Sequence, residues 1–285
     1  MFSEKYNLYF YFMNSNIKLI CSDIDGTLLN ADRDIAPETA SAFNRLPKDF
    51  PVILASSRMP SAMYYLQEKI GCFGSPLICY NGALVLDEKG NALQSHTISL
   101  DLLNSIIDHH QNYDYNISTH CTDTWRTEKM DYWTMREIRS TRMQPVYVPL
   151  KDLIPSLKAV KEEPHKIMCM GSPKALDNLI TLLEEKHPGE AHLYRSKDSY
   201  VEISAKNIDK STALYDLIKS KYNLELINVM AFGDNFNDTQ LIKRAGLGVA
   251  MANAAQEVKD VADFVSEYTN KQHAVAKAIE KFLIS

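Results

Sequence analysis

The sequence predicts an α/β protein in which a doubly wound parallel sheet is interrupted by an inserted α+β domain. Three observations carry this reading: apolar runs of strand length that end on polar residues, helical patterns alternating with them in both outer parts of the chain, and a middle part that changes character. The 285 residues exceed one ordinary domain, so two cores are expected. With 45% hydrophobic and 24% charged residues, the chain has the composition of a folded protein able to bury a sizeable core.

Taken in order, residues 6–13 (YNLYFYFM) are aromatic but lack a basic leading region, a Leu-rich stretch and a small-residue cleavage site, so no signal peptide is expected. Met13 is expected to be an alternative start, because it lies just before the first core strand. Residues 17–23 form an apolar run ending on Asp23, followed by a tight Gly26-Thr27 turn. A second run, 52–55, ends on Ser56, and a third, 229–232, ends on Gly233-Asp234. Helical patterns fall at 37–45, 60–70, 211–219 and 239–244. Ligands of open parallel sheets bind beyond the carboxyl ends of the strands, so groups far apart in sequence can meet there. The middle opens on a hairpin-like 83–94 with Lys89-Gly90-Asn91 as its turn, then a helix at 100–110. After an irregular stretch holding Trp125 and Trp133 come a strand at 166–170, a helix at 173–186 and strands near 191–194 and 200–204. The expected organisation is therefore a core at 1–84 and 204–285 with an insert at 85–203. Gly246-Leu247-Gly248 lacks the third glycine and the helix of a dinucleotide fingerprint and is expected as a turn before a strand.

Composition also excludes. A net charge of −5 and a pI near 5.9 argue against a nucleic-acid partner, which calls for a basic surface. No apolar run approaches the ~20 residues of a membrane helix. Five scattered cysteines without a CxxC pair suggest free thiols in a reducing cytoplasm, with neither disulfides nor a zinc site. The histidines show no metal spacing, and none is assigned to catalysis. Two glycosylation sequons, at Asn116 and Asn237, are expected to stay unmodified. In the insert, Trp125, Arg126, Trp133, Arg136 and Arg139 fit either a wall for a polar substrate or an ordinary core with salt-bridged edges. No obligate protein partner is evident.

The chemistry concentrates in a few residues. Asp23 and Asp25 stand two apart where the chain leaves a strand, a spacing that lets one carboxylate attack phosphorus while the other exchanges a proton with the leaving oxygen and then with water. Two carboxylates repel each other and an anionic substrate, so a divalent cation is required. Gly233-Asp234-Asn235-Phe236-Asn237-Asp238 supplies further hard oxygen ligands suited to Mg²⁺, with Asp23 and Asp234 as the chosen ligands. Ser56 and Lys210 are suitable donors for the oxygens of a transferring phosphoryl group, and Lys210 stands where a helix begins.

Together DIDGTLL, LASSR, a lysine at a helix start and GDNFND resemble the four motifs of the haloacid dehalogenase superfamily, most closely its Cof-type sugar phosphatases, from about Ile17 to the end of the chain. That resemblance implies a Rossmann-like core with a large α/β cap that sets substrate specificity. It implies that Asp23 is nucleophile and Mg²⁺ ligand, and that Asp25 is general acid/base and a ligand through its carbonyl. It further implies that Ser56 and Lys210 bind the phosphoryl group, Asp234 binds the metal, Asn237 helps hold the phosphate, and Asp238 supports the metal shell or Lys210. Asn81-Gly82 matches a segment expected to touch substrate or metal-bound water. The second motif departs from the usual Ser/Thr-Gly-Arg by having Ser57 in the middle, where glycine would permit closer backbone approach. The expected activity is Mg²⁺-dependent hydrolysis of small phosphate monoesters, with a sugar phosphate as substrate class. A phosphomutase and a non-catalytic sugar-phosphate-binding regulator are the alternatives, while Asp25 argues against dehalogenation, which needs no acid.

Overall fold

The computed structural model describes residues 16–284, so the aromatic segment at 6–13 and Met13 lie outside the described residues. The chain forms two compact units. Among the described residues, the first comprises 16–57, Met63–Leu93 and 209–284, and the second comprises Arg58–Ala62 and Gln94–Ile208.

In the first unit, strands β1 (Leu19–Ser22), β2 (Val52–Ala55), β3 (Leu77–Cys79), β4 (Leu84–Leu86), β5 (Ala92–Ser95), β12 (Val229–Gly233), β13 (Leu247–Ala250) and β14 (Phe264–Val265) form one sheet. Its order is β14-β13-β12-β1-β2-β3-β4-β5, parallel from β14 to β3, with β4 antiparallel to β3. The run LICS of β1 is buried throughout, as suits a strand covered on both faces. Helices α1 (Pro37–Asn44), α2 (Ser61–Lys69), α7 (Lys210–Tyr222), α8 (Thr239–Arg244), α9 (Gln256–Val261) and α10 (Ala274–Ile279) accompany the sheet. Leu214, Leu217 and Ile218 of α7 and Leu241 and Ile242 of α8 pack with Leu19, Ile53 and Val229 in one core. The hairpin at 83–94 joins this sheet as β4 and β5, because Leu84, Val85 and Leu86 pair with Cys79, Ile78 and Leu77.

The second unit is a six-stranded sheet with helices α3 (Leu100–His110), α4 (Tyr132–Thr141), α5 (Leu150–Val160) and α6 (Pro173–Lys186). Its strands are β6 (Tyr115–Cys121), β7 (Thr124–Thr127), β8 (Val146–Tyr147), β9 (Lys166–Gly171), β10 (Ala191–Lys197) and β11 (Tyr200–Ala205), in the order β10-β11-β9-β6-β7-β8. All pairs are antiparallel except β7 with β8. Leu103, Ile106, Leu157, Leu176 and Leu179 of α3, α5 and α6 cover the face that carries Ile117, Ile167 and Val201. The opposite face carries Met168, Met170 and Tyr200, with Trp133 of α4 packed on them. Arg58–Ala62, including the first two residues of α2, belongs to this unit: Ser61 donates its backbone N–H to Asp123 Oδ1 at 2.8 Å.

The stretch expected to be irregular is in fact ordered as β6, β7, α4, β8 and α5. Its pattern hides this for a physical reason. β6 reads YNISTHC and is buried at every position, so its core-facing residues are interleaved with buried polar ones: Ser118 Oγ donates to Asn116 Oδ1 at 2.9 Å, and Asn116 Nδ2 donates beyond the strand to Asp131 Oδ2 at 3.0 Å and to Thr134 Oγ1 at 3.2 Å. Pro155 lies inside α5 and blurs its helical signature. Among the described residues no helix is long and apolar enough to cross a membrane, and all five cysteines are free of disulfides.

Candidate active site

Adjacent parallel strands β12, β1 and β2 end on Asp234, Asp23 and Ser56, so three polar groups gather at one sheet edge although their sequence positions span most of the chain. Asp23 continues β1, donating its N–H to Phe232 O at 3.0 Å. Ser56 is fixed through its backbone: its N–H donates to Ile78 O and its carbonyl accepts from Asn81 N, both at 2.9 Å. The chain around Asn81 is wound tightly, with positive φ at Tyr80 (52°), Asn81 (58°) and Gly82 (106°). Asparagine and glycine accept that region readily, whereas a buried tyrosine pays strain there.

Lys210 is the first residue of α7, and Asp209 caps that helix by accepting from Ser211 N at 2.8 Å and Thr212 N at 3.0 Å. The cap delivers a fully buried ammonium, which donates to Asp23 Oδ1 at 2.5 Å and to Asp238 Oδ1 at 2.8 Å. Asp238 Oδ2 in turn accepts from Asp234 N at 3.0 Å and Asn235 N at 3.1 Å. Both oxygens of Asp238 are therefore engaged by the protein, while Asp23 Oδ2 is buried and bonds no protein donor.

Asp23, Asp234 and Asp238 offer ligand atoms that all lie within 4.8 Å of one another. With all three ionised, they leave two negative charges in excess of the one ammonium, the charge of one divalent cation. The electrostatics agree. Burial, then Asp238, drives the Asp23 carboxyl well above its usual range against the pull of Lys210. Burial and Asp238 push Asp234 up to about 7, with a hydrogen bond from Thr27 opposing. Burial disfavours the Lys210 cation, but Asp23 and Asp238 outweigh it and hold the group protonated. A hard oxygen donor set, an excess of charge and an unpartnered buried carboxylate oxygen suit a divalent cation.

The remaining expected residues fall into two groups. Asn237 and Asn81 come together, with Asn237 Nδ2 donating to Asn81 Oδ1 at 2.9 Å. The Asp25 side chain is not part of the acidic cluster; it is partly exposed and pairs with Arg33, whose Nη2 lies 2.6 Å from Asp25 Oδ1. Sequence reasoning overlooked Arg33, Thr27, whose hydroxyl donates to Asp234 Oδ1 at 3.1 Å, and Asn253, whose amide donates to Gly26 O at 2.8 Å. Gly26 is required where it stands: φ is +87°, and a Cβ there would lie 2.2 Å from Asp234 Oδ2.

A family model described as haloacid dehalogenase-like hydrolase matches residues 20–279. The chain belongs to the haloacid dehalogenase-like hydrolases. Over 273 residues it is 29% identical to the 5-amino-6-(5-phospho-D-ribitylamino)uracil phosphatase YcsE of Bacillus subtilis, covering 94% of this chain and 97% of that one. It is 26% identical to the HMP-PP phosphatase of Serratia proteamaculans, covering 94% and 96%. Among solved structures, a haloacid dehalogenase-like hydrolase from Bacteroides thetaiotaomicron superposes with a TM-score of 0.85 at 26% identity, covering 93% of this chain and 99% of that one. The doubly wound core and the phosphatase character expected from the motifs are thus both supported, and this haloacid dehalogenase-like hydrolase is a phosphatase by its relatives.

Proposed function

We propose that this hydrolase is a Mg²⁺-dependent phosphatase of small phosphate monoesters, sugar phosphates among them, and that it works through an aspartyl phosphate on Asp23. The observation that carries the reading is the buried trio of Asp23, Lys210 and Asp238 beside Asp234. Asp23 and Asp234 would hold the cation, with the Asp25 carbonyl as a further ligand and Asp238 as support. The cation, when bound, neutralises the excess charge and polarises the phosphoryl oxygens.

In the first half-reaction a carboxylate oxygen of Asp23 attacks phosphorus. The ester P–O bond breaks, and its electron pair stays on the leaving oxygen, which takes a proton from Asp25. In the second, Asp25 as carboxylate removes a proton from water. The resulting hydroxide attacks phosphorus, and Asp23 departs as carboxylate, leaving inorganic phosphate. Lys210 and Ser56 donate to the phosphoryl oxygens while charge spreads over them, and Asn237, held by Asn81 beside Gly82, adds an amide donor. The second unit, which the sequence reading places at 85–203, selects the organic part of the ester, a cytoplasmic metabolite. A phosphorylated polyol such as the ribityl group in the name of the Bacillus subtilis relative belongs to that class.

The test is phosphate release from a panel of sugar phosphates and p-nitrophenyl phosphate, with Mg²⁺ or with EDTA, using the wild type and Asp23→Asn. Turnover that needs Mg²⁺ and vanishes in the variant supports the reading. An equally active Asp23→Asn would rule out the aspartyl phosphate.

A further inference from the structure

The turn that follows β13 is bonded to both acidic loops of the site. Met251 N donates to Gly233 O at 3.3 Å and Ala255 N to Asp234 O at 2.8 Å, so residues 251–255 are tied to the loop that carries Asp234. Between those two anchors, Asn253 Nδ2 donates to Gly26 O at 2.8 Å, on the loop that carries Asp23 and Asp25. Asn253 does not stand alone. Its Oδ1 accepts from Asn270 N at 2.9 Å, and Asn270 Nδ2 donates to Leu29 O at 2.7 Å, at the far end of the same nucleophile loop. Ala252 N also donates to Tyr268 O at 3.0 Å, which holds the turn against the segment that supplies Asn270.

An amide is the fitting group here because one side chain must accept from a backbone N–H and donate to a carbonyl at once. The loops it joins are also in contact directly, since Thr27 Oγ1 donates to Asp234 Oδ1 at 3.1 Å and Gly26 leaves no room for a Cβ beside Asp234. A divalent cation with a strict distance requirement is sensitive to the spacing of such loops.

We propose that Asn253 is a positioning residue for the cation site: oriented by Asn270, it fixes the Gly26 carbonyl and thereby sets the spacing between the nucleophile loop and the Asp234 loop. This rests on the reading of Asp23 and Asp234 as the cation's holders. Asn253 is exposed, so its replacement opens no cavity.

The experiment measures Mg²⁺ binding by isothermal titration calorimetry and Mn²⁺ binding by electron paramagnetic resonance, without substrate, on the wild type, Asn253→Ala and Asn253→Asp. The second variant keeps the shape and loses the donor. Both are expected to bind the metal about tenfold more weakly, the scale found for groups that support metal ligands. Their unfolding midpoints in EDTA should match the wild type, and much of kcat should return at saturating Mg²⁺. Asn270→Ser, which keeps the backbone donor to Asn253 and loses the bond to Leu29, is expected to show a smaller effect in the same direction. Variants that bind Mg²⁺ as tightly as the wild type overturn the proposal while leaving the phosphatase reading intact. Variants that only unfold earlier in EDTA, with unchanged metal affinity, make Asn253 a structural residue and overturn it too. A wild type that binds no divalent cation overturns both.

Discussion

Lys210 is the residue on which the charge balance of the site turns. Its ammonium is fully buried and has two carboxylates for partners, so removing it leaves Asp23 and Asp238 facing each other without a counter-charge. Lys210→Met is therefore expected to lower the urea-derived stability by about 3–5 kcal/mol, the usual cost of breaking a buried pair by deleting one partner, and to abolish phosphate release. Adding Asp238→Asn should recover part of the stability and none of the activity; a single-variant loss below about 1 kcal/mol would mean the pair is hydrated in solution. Gly26 poses a steric problem instead. A methyl group at its positive φ, 2.2 Å from Asp234 Oδ2, must displace either the loop or the carboxylate. Gly26→Ala is expected to reduce phosphate release roughly 100-fold, the scale of a misplacement of about 1 Å, with a loss of about 1–3 kcal/mol seen in the same urea titration.

At the level of elements, α7 shows how a helix start becomes part of a site. Asp209 accepts from Ser211 N and Thr212 N, which satisfies two donors of the first turn and fixes the direction in which Lys210 leaves the helix. Asp209→Ala is expected to cost about 1 kcal/mol of stability and, because Lys210 loses its aim, to lower kcat more than it raises KM. A parallel loss in Asp209→Asn, which keeps the capping oxygen, would sink that explanation. The sequence made this helix legible, as it did β1, β2 and β12, because an apolar run ending on a polar residue is a local signal. It concealed β6 because a strand buried at every position, with polar residues such as Asn116 and Ser118 inside the fold, has no simple alternation. It concealed the role of Asn253 for a different reason: the bond from Asn253 to Gly26 joins positions 227 residues apart, and no local pattern encodes it. Asp23, Ser56, Lys210 and Asp234 were visible because each ends or begins an element. Thr27 was visible only as a letter within DIDGT.

Over the whole molecule, two hydrophobic cores are carried by one chain, and the acid response of the second can be read by its own probe. Both tryptophans, Trp125 and Trp133, belong to the second unit, so tryptophan fluorescence reports its unfolding. That unit also holds two histidines kept neutral. Burial first, then His96, depresses His165 to about 4, and its Nδ1 accepts from Thr122 N at 3.0 Å, a bond that protonation of Nδ1 would break. Burial first, then Lys166, depresses His120 well below its usual value. The sign follows from where protons bind. An unfolded histidine titrates near 6.5, so as pH falls from there toward about 4 the unfolded state takes up a proton that the folded state refuses, and stability drops. Between pH 7 and pH 4.5 His165 alone is expected to cost the second unit about 2 kcal/mol. Urea titrations followed by tryptophan fluorescence at both pH values, on the wild type and His165→Gln, isolate this term, because the carboxylates titrate in both proteins and cancel in the comparison. Glutamine can still accept from Thr122 and cannot titrate, so the variant should lose less stability on acidification than the wild type. Equal losses would mean that His165 is as easily protonated in the fold as out of it, and that the unit's acid sensitivity comes from its carboxylates.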